Sequence, residues 1–404
     1  MHTKINQSHW KKRIAYFLAS QNISLFGSSV VGFAIIWHIT LETSSGFWMM
    51  LSTICSLVPQ VLISLFGGVW ADRHNRKYLI MLADAFIALA TLALAISFLL
   101  GFRRLELLLM ASVVRSAGAG IQTPAVSAIF PQLVPEEKLT QIQGINQTLG
   151  SVLMLLSPAV GGLLLGTVGI VGAFFVDVVT AALAILVMSR ISVEKVERVN
   201  PETSVWEDLK GGLRYTFGHR QLRNITICYI FSFFLITPAM ALTPLMVERS
   251  FGSEVWRLTA NEMVWTVGSL LGGAYVALKG QFRNKVRTAA VCLIAFGILF
   301  GLLGVSWNFT VYLVIMGLAG CFMPVLSTTQ TVFIQEITEA DVLGRVFSVI
   351  QLFSSSAMPA AILLFGPLAD LVSVESIMLV CGGLLALVGL VYGFSERQPN
   401  KPVS

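Results

Sequence analysis

Gly68-Val-Trp-Ala-Asp72-Arg73-His-Asn-Arg76-Lys77 separates two long apolar runs, and its reading decides what the rest of the chain builds. Gly67 and Gly68 close the run before it, where residues without side chains let helices approach closely or bend. Asp72 stands where a helix would end, and Arg73, Arg76 and Lys77 follow, so cations meet the negative end of the helix dipole. A basic turn between membrane spans explains Arg73, Arg76 and Lys77 by itself, because short cytoplasmic loops collect Lys and Arg. It does not explain the fixed spacing Gly-x-x-x-Asp-Arg-x-x-Arg-Lys.

The composition makes the same choice. The 404 residues are 55% hydrophobic and 12% charged, with a mean hydropathy of +0.79. A soluble surface cannot be built from so little charge, so the chain reads as a polytopic membrane protein. The net charge of +6 then reports on topology and not on nucleic acid, for no basic cluster with interleaved aromatics lies outside the loops. The first apolar run, preceded by Lys4, Lys11, Lys12 and Arg13, is too long for a signal-peptide core and is predicted to remain as a helix. Cys55, Cys228, Cys292, Cys321 and Cys381 have neither metal-ligand nor redox spacing and read as small packing residues. No cofactor or metal is implied, and no nucleotide-binding Gly-x-x-x-x-Gly-Lys-Ser/Thr run appears, so ATP is not the energy source through this chain. No enzyme signature is present.

Apolar runs long enough to cross a bilayer fall at 14–41, 46–71, 78–100, 106–130, 141–166 and 169–190, then at 223–247, 257–279, 288–306, 308–333, 343–369 and 376–394. The predicted fold is therefore an all-α membrane protein of twelve transmembrane helices, arranged as two pseudo-symmetric six-helix bundles. Residues 1–190 form the N-terminal bundle, 191–222 a cytoplasmic linker and 223–404 the C-terminal bundle. Val205, Trp206, Leu209, Leu213 and Phe217 recur at helical spacing, so part of the linker reads as an amphipathic helix on the inner surface. Of the 27 Lys and Arg, the outer loops hold only Arg103, Arg104, Arg249 and Arg257, and Arg115 lies inside a helix. The remainder fall on the other side, which puts both termini in the cytoplasm.

The halves repeat. Gly120-Ile-Gln-Thr-Pro124 matches Gly320-Cys-Phe-Met-Pro324, Gly144 matches Gly344, and Pro158 matches Pro359. Gly67-Gly68 returns as Gly272-Gly273, again ahead of a basic loop, here Lys279, Arg283, Lys285 and Arg287. Parallel six-helix repeats predict a substrate site between the halves near the midplane.

An ionisable group within a membrane helix costs about 2.5–3.5 kcal/mol on insertion scales, so each one is a functional candidate. Four qualify: Asp84, Arg115, Asp177 and Glu262. Arg115 precedes Ser-Ala-Gly-Ala-Gly, which permits close helix contact; it either shifts the charge state of a carboxylate or is a fixed structural pair. Asp84 lies near enough to Arg73, Arg76 and Lys77 to be satisfied by them, or to form with them a relay that holds an inner gate. Asp177, with no basic neighbour in sequence, can exchange a proton or meet a cationic substrate. Glu262 stands near Trp265, a pairing suited to an amine-bearing drug by ion pair and cation–π contact, or else pairs Arg257 at the rim. His38, beside Trp37, reads as an interfacial residue before a proton carrier.

Across its whole length the chain resembles bacterial drug-efflux members of the major facilitator superfamily, and within them the macrolide-efflux group of drug:proton antiporters. The resemblance rests on the Gly68–Lys77 spacing, Arg115-Ser-x-Gly with Thr123-Pro124-Ala125, Leu133-Val134-Pro135-Glu136-Glu137-x-Leu139-Thr140, and Leu343-Gly344-Arg345-Val346-Phe347-Ser348. Ser157-Pro158-Ala-Val-Gly161-Gly162 is similar to the antiporter motif Gly-Pro-x-x-Gly-Gly, with Ser157 in place of its first glycine. The resemblance implies that Gly68, Asp72, Arg73, Arg76 and Lys77 form a cytoplasmic gate, and that Pro158, Gly161 and Gly162 form a hinge. It implies that Arg115 takes part in proton coupling, with Asp177, Glu262 or Asp84 as the exchanging acid. Glu262, Asp177 and Trp265 are then candidates for contact with an amphiphilic small-molecule substrate. The expected partners are that substrate, protons and membrane lipid, without nucleic acid, and the chain is expected to act as a monomer in the bacterial inner membrane. A metabolite or siderophore exporter, or a non-transporting binding protein on the same fold, is the alternative.

Overall fold

The computed structural model describes residues 10–191, 205–280, 282–339 and 342–395. Among these the chain is helical, with no strand. It divides into two compact units, one of residues 1–43 and 51–200, the other of 44–50 and 201–404.

The first unit holds α1 (Trp10–Thr43), most of α2 (Gly46–Arg73), α3 (Arg76–Leu99), α4 (Leu105–Leu133), α5 (Leu139–Thr167) and α6 (Ile170–Ser189). A short 3-10 turn, Glu136–Lys138, precedes α5. Packing joins α1 to α6 and α5, and α3 to α4 and α6. At one end the core gathers Ile14, Phe17, Ile80, Ile129, Phe130 and Leu133, with Phe17 edge-on to Phe130 at 5.1 Å between ring centres. The outward faces are apolar too: α3 exposes Leu82, Phe86, Leu89 and Ile96 while burying Asp84 and Thr91. In water that arrangement is inverted; against hydrocarbon it is the stable one, since polar groups must then find partners inside the bundle.

The second unit holds α7 (Val205–Gly218), α8 (Arg220–Ala241), α9 (Thr243–Phe251), α10 (Val255–Lys279), α11 (Lys285–Leu303), α12 (Phe309–Ile337), α13 (Leu343–Leu371) and α14 (Val374–Ser395). The run expected at 223–247 is two helices, α8 and α9, because Pro244 begins a new helix where its ring and missing N–H fit only at the first positions. The helix expected within 191–222 is α7, which packs on α13 with Gly212 against the carbonyl of Arg345; the side chains of Val205, Trp206 and Leu209 lie outside the described part. Among the described residues ten helices are long and apolar enough to span a membrane. The helices α4 and α10, of 29 and 25 residues, match them in length and carry Arg115 and Glu262 in their interiors. With α8 and α9 counted as one interrupted span, this is a twelve-span all-helical architecture.

The repeat in sequence is a repeat in packing. In the first unit Gly67 of α2 abuts the carbonyl of Gly120 on α4, and Gly120 in turn abuts the carbonyl of Gln60. In the second, Gly272 of α10 abuts the carbonyl of Cys321 on α12, and Gly320 abuts that of Trp265. A Cβ at any of the four would strike backbone, so these crossings require glycine.

The start of α2 belongs to the second unit for a visible reason. Asp370 of α13 accepts hydrogen bonds from the Gly46 and Phe47 amides at 2.7 and 2.9 Å and from Ser45 Oγ at 2.8 Å. Arg249 of α9 pairs with Asp370 at 2.9 Å and donates to the carbonyls of Ala369 (2.6 Å) and Ser44. Ser44 itself is left-handed, with φ of 48°.

Candidate functional site

Four helices of the first unit bring a polar network into their apolar interior. On α3, Asp84 and Thr91 are seven residues apart and so share a face; on α1, Ser24 and Ser28 do the same one turn apart. Asp177 comes from α6 and Arg115 from α4. Arg115 forms an ion pair with Asp177 Oδ2 and donates to Thr91 Oγ1, while its other terminal nitrogen donates to the Ser28 carbonyl at 3.2 Å. Asp177 also accepts from Thr91 Oγ1 at 2.7 Å and from Ser28 Oγ at 3.2 Å. Both carboxylate oxygens are occupied, and the acid is 1% exposed. Its partner is invisible in sequence because Arg115 lies on another helix.

Asp84 is arranged differently. Its Oδ1 accepts from Ser24 Oγ at 2.5 Å and Gln122 Nε2 at 2.8 Å. Its Oδ2 is buried and has no hydrogen-bond partner among the described residues. The expectation that Arg73, Arg76 or Lys77 satisfies Asp84 is not met. Arg76 turns to the carbonyls of Ala71 (3.0 Å) and Ala128 (2.6 Å), and Lys77 to those of Ser189 (2.9 Å) and Ile191 (2.6 Å). The Ala71 and Ser189 carbonyls stand in the last turns of α2 and α6, where carbonyls lack intrahelical donors and carry the negative end of the dipole, so they compete well for nearby cations. Arg76 and Lys77 thereby tie together the ends of α2 and α6 with α4. Arg73 is exposed, Gly68 has open space where a Cβ would stand, and the side chain of Asp72 lies outside the described part.

Arg115 and Gln122 reach a cavity of about 440 Å³ inside this unit. Its wall is rich in hydroxyls and amides, including Gln21, Asn22, Ser29, Gln60, Thr123 and Asn146. Ser116 on the same wall donates to the Ser56 carbonyl at 2.7 Å and accepts from the Gln60 amide at 2.9 Å. Those two backbone groups would bond each other in a regular turn, so the hydroxyl sits within the ladder of α2 next to Pro59. A lone Ser gives no such signal in sequence; the pairing depends on how close α4 comes.

In the second unit Glu262 is not paired with Arg257, which binds Glu254 at 3.1 Å one turn away. Asn261 Nδ2 donates to Glu262 Oε1 at 3.4 Å, and Asn261 Oδ1 accepts from the fully buried Tyr312 hydroxyl at 2.9 Å. Trp265 packs on Phe296, with ring centres 6.4 Å apart. His38 lies against Phe98 at 6.2 Å. On α5, Pro158 falls within one unbroken helix, Gly161 faces the backbone of α1 at Val30, and Ser157 is fully buried.

The family model described as Major Facilitator Superfamily matches residues 17–362. The chain belongs to the major facilitator superfamily. Among curated relatives it is 28% identical to Macrolide efflux protein A of Streptococcus pyogenes, over 95% of this chain and 96% of that protein. It is 27% identical to the Enterobactin exporter EntS of Salmonella choleraesuis, over 96% of this chain and 94% of that protein. The solved structure of the nucleoside transporter NupG superposes with a TM-score of 0.71 at 12% identity, covering 96% of this chain and all of that one, a likeness of fold alone. This superfamily member is thus a multi-pass membrane transporter for small molecules and not an enzyme, related to macrolide efflux proteins and also to siderophore exporters.

Proposed function

We propose that this transporter expels an amphiphilic compound, with a macrolide-type drug favoured, across the bacterial inner membrane in exchange for protons. Both termini are cytoplasmic, as the distribution of Lys and Arg argues. The observation that carries the coupling is the contrast between two buried acids. Asp177 is neutralised by Arg115, whereas Asp84 has hydrogen-bond donors on one oxygen and, among the described residues, none on the other. An ionised carboxylate without a counter-ion is costly in a low-dielectric interior, so Asp84 is the acid that gains and loses a proton. Gln122 links it to the polar cavity, through which solvent and substrate communicate with it. Arg115 and Asp177 form the fixed frame behind it, and Glu262 with Trp265 offers a second acid for a cationic substrate. Gly68, Asp72, Arg73, Arg76 and Lys77 latch the cytoplasmic gate during alternating access, and Pro158, Gly161 and Gly162 supply the hinge. One elementary charge moved down 100 mV releases about 2.3 kcal/mol, which concentrates a solute some tens-fold.

Siderophore export is a second reading, favoured by the hydroxyl- and amide-rich wall of the cavity and by the similarity to the enterobactin exporter. Accumulation of macrolides, tetracyclines, cationic dyes and a catecholate siderophore is measured in expressing cells, with and without a protonophore. Low macrolide accumulation that rises with the protonophore supports proton-driven drug export, and Asp84→Asn then abolishes the protonophore response. If Asp84→Asn exports as well as the parent while Glu262→Gln or Asp177→Asn does not, the coupling acid is misassigned. If only the siderophore responds, drug export falls.

A further inference from the structure

The basic loop after Gly272-Gly273 has no part in the network above, and it borders a cavity of the second unit of about 710 Å³. One end of that cavity is cationic, with Lys279 closing α10, Arg283 in the connection and Arg287 on the first turn of α11. The other end is apolar, walled by Leu271, Val291, Phe322 and Val325. Among the described residues no carboxylate lines it. Among them too, Arg283 and Arg287 enter no ion pair, while their neighbour Lys285 is bound to Glu336 at 2.9 Å. Lys279 is positioned by Tyr275, whose hydroxyl accepts from Nζ at 2.9 Å, and lies over the Phe282 ring at 5.0 Å. Asn284 caps α11 by accepting from the Arg287 amide at 2.9 Å, so the positive end of that helix faces the same place.

A second cavity, of about 670 Å³, runs along the opposite side of α11 between Ile294, Gly389 and Phe394. Asn284, Arg287 and Val291 line both cavities, so two apolar grooves diverge from one cationic point at the start of α11. Val291, Leu271, Leu390 and Phe394 are all exposed, as residues turned to bilayer hydrocarbon would be.

We propose that this pair of grooves is a binding site for one anionic diacyl phospholipid, its phosphodiester held by Arg283 and Arg287 and its two acyl chains lying on either side of α11. Charge complementarity selects the occupant: three cations with no facing acid among the described residues favour an anionic headgroup over a zwitterionic one. The forked apolar floor selects a two-chain lipid over a single-chain amphiphile or a free anion. The inference depends on the chain being a membrane protein and not on which compound it transports.

The test is native mass spectrometry of the purified full-length transporter, titrated with dioleoyl phosphatidylglycerol or with dioleoyl phosphatidylcholine. The parent is expected to retain phosphatidylglycerol preferentially. The Arg283→Gln/Arg287→Gln protein should lose on the order of fivefold in affinity for each cation removed, while Arg283→Lys/Arg287→Lys stays close to the parent. Arg103→Gln/Arg104→Gln, which removes the same charge elsewhere, should bind as the parent does. Equal retention of both lipids, or a preference unchanged in the double Gln protein, overturns the proposal. So does full competition by inorganic phosphate, which would mark an anion site without acyl recognition.

Discussion

Replacing Arg115 with Gln leaves the Asp177 carboxylate in place with only the hydroxyls of Thr91 and Ser28 to meet it. Both members of the pair are withdrawn from solvent, their side chains being 10% and 1% exposed, so little screening is available to the orphaned charge. Breaking a buried pair from one side costs about 3–5 kcal/mol. At about 2–4 °C per kcal/mol for a body of 150–250 residues, the melting midpoint in detergent should fall by roughly 6–20 °C. Asp177→Asn, which strands the guanidinium against Thr91 and the Ser28 carbonyl, should fall by a similar amount. In the double variant neither charge is present and a Gln–Asn contact can replace the ion pair. Most of the loss should then return, so the double variant should melt above either single variant and the two losses should be strongly non-additive. Intrinsic fluorescence melts of the four proteins measure the cycle. If each single variant melts within about 2 °C of the parent, or the double variant falls by the sum of the singles, the pair does not frame the first unit as argued.

Adjacent glycines should behave in opposite ways. Gly67→Ala forces a Cβ into the Gly120 carbonyl and should cost about 1–3 kcal/mol, seen as a lower melting midpoint, whereas Gly68→Ala enters open space and should melt as the parent does. Asp370→Ala removes the acceptor for the Gly46 and Phe47 amides, a helix-start bond of about 0.5–2 kcal/mol, together with a partly exposed ion pair that adds little. Hydrogen–deuterium exchange in peptide 44–50 should accelerate several-fold; an unchanged rate would mean that Asp370 does not hold the start of α2.

Much of the fold is legible in the sequence because the bilayer leaves few choices. A segment without water must satisfy its own backbone, so each long apolar run can only be a helix. The run at 223–247 reads as one span because hydropathy does not register that Pro244 restarts the helix. The four intramembrane ionisable groups stand out by type alone, since charge in hydrocarbon needs a reason. Their partners do not. The cations nearest Asp84 in sequence are its natural candidates, yet they go instead to backbone carbonyls at α2, α4 and α6. Arg257 is the corresponding candidate for Glu262, and it finds Glu254 one turn away. Ser24, Ser28, Thr91 and Gln122 give no sign, because Ser, Thr and Gln are ordinary within membrane helices and acquire meaning only from what faces them.

Membrane class, helices, internal repeat and the identity of the costly buried charges therefore follow from the order of the amino acids. Each of these rests on a transfer energy or on a spacing along one helix. Helix packing, and nothing short of it, sets Arg115 against Asp177, leaves one oxygen of Asp84 without a partner among the described residues, and brings Asp370 to the start of α2. Such pairings join residues 38 to 325 positions apart, from Gln122 with Asp84 to Asp370 with Ser45. Coulombic and hydrogen-bond energies depend on separation in space, and only the packing of one helix on another sets that separation.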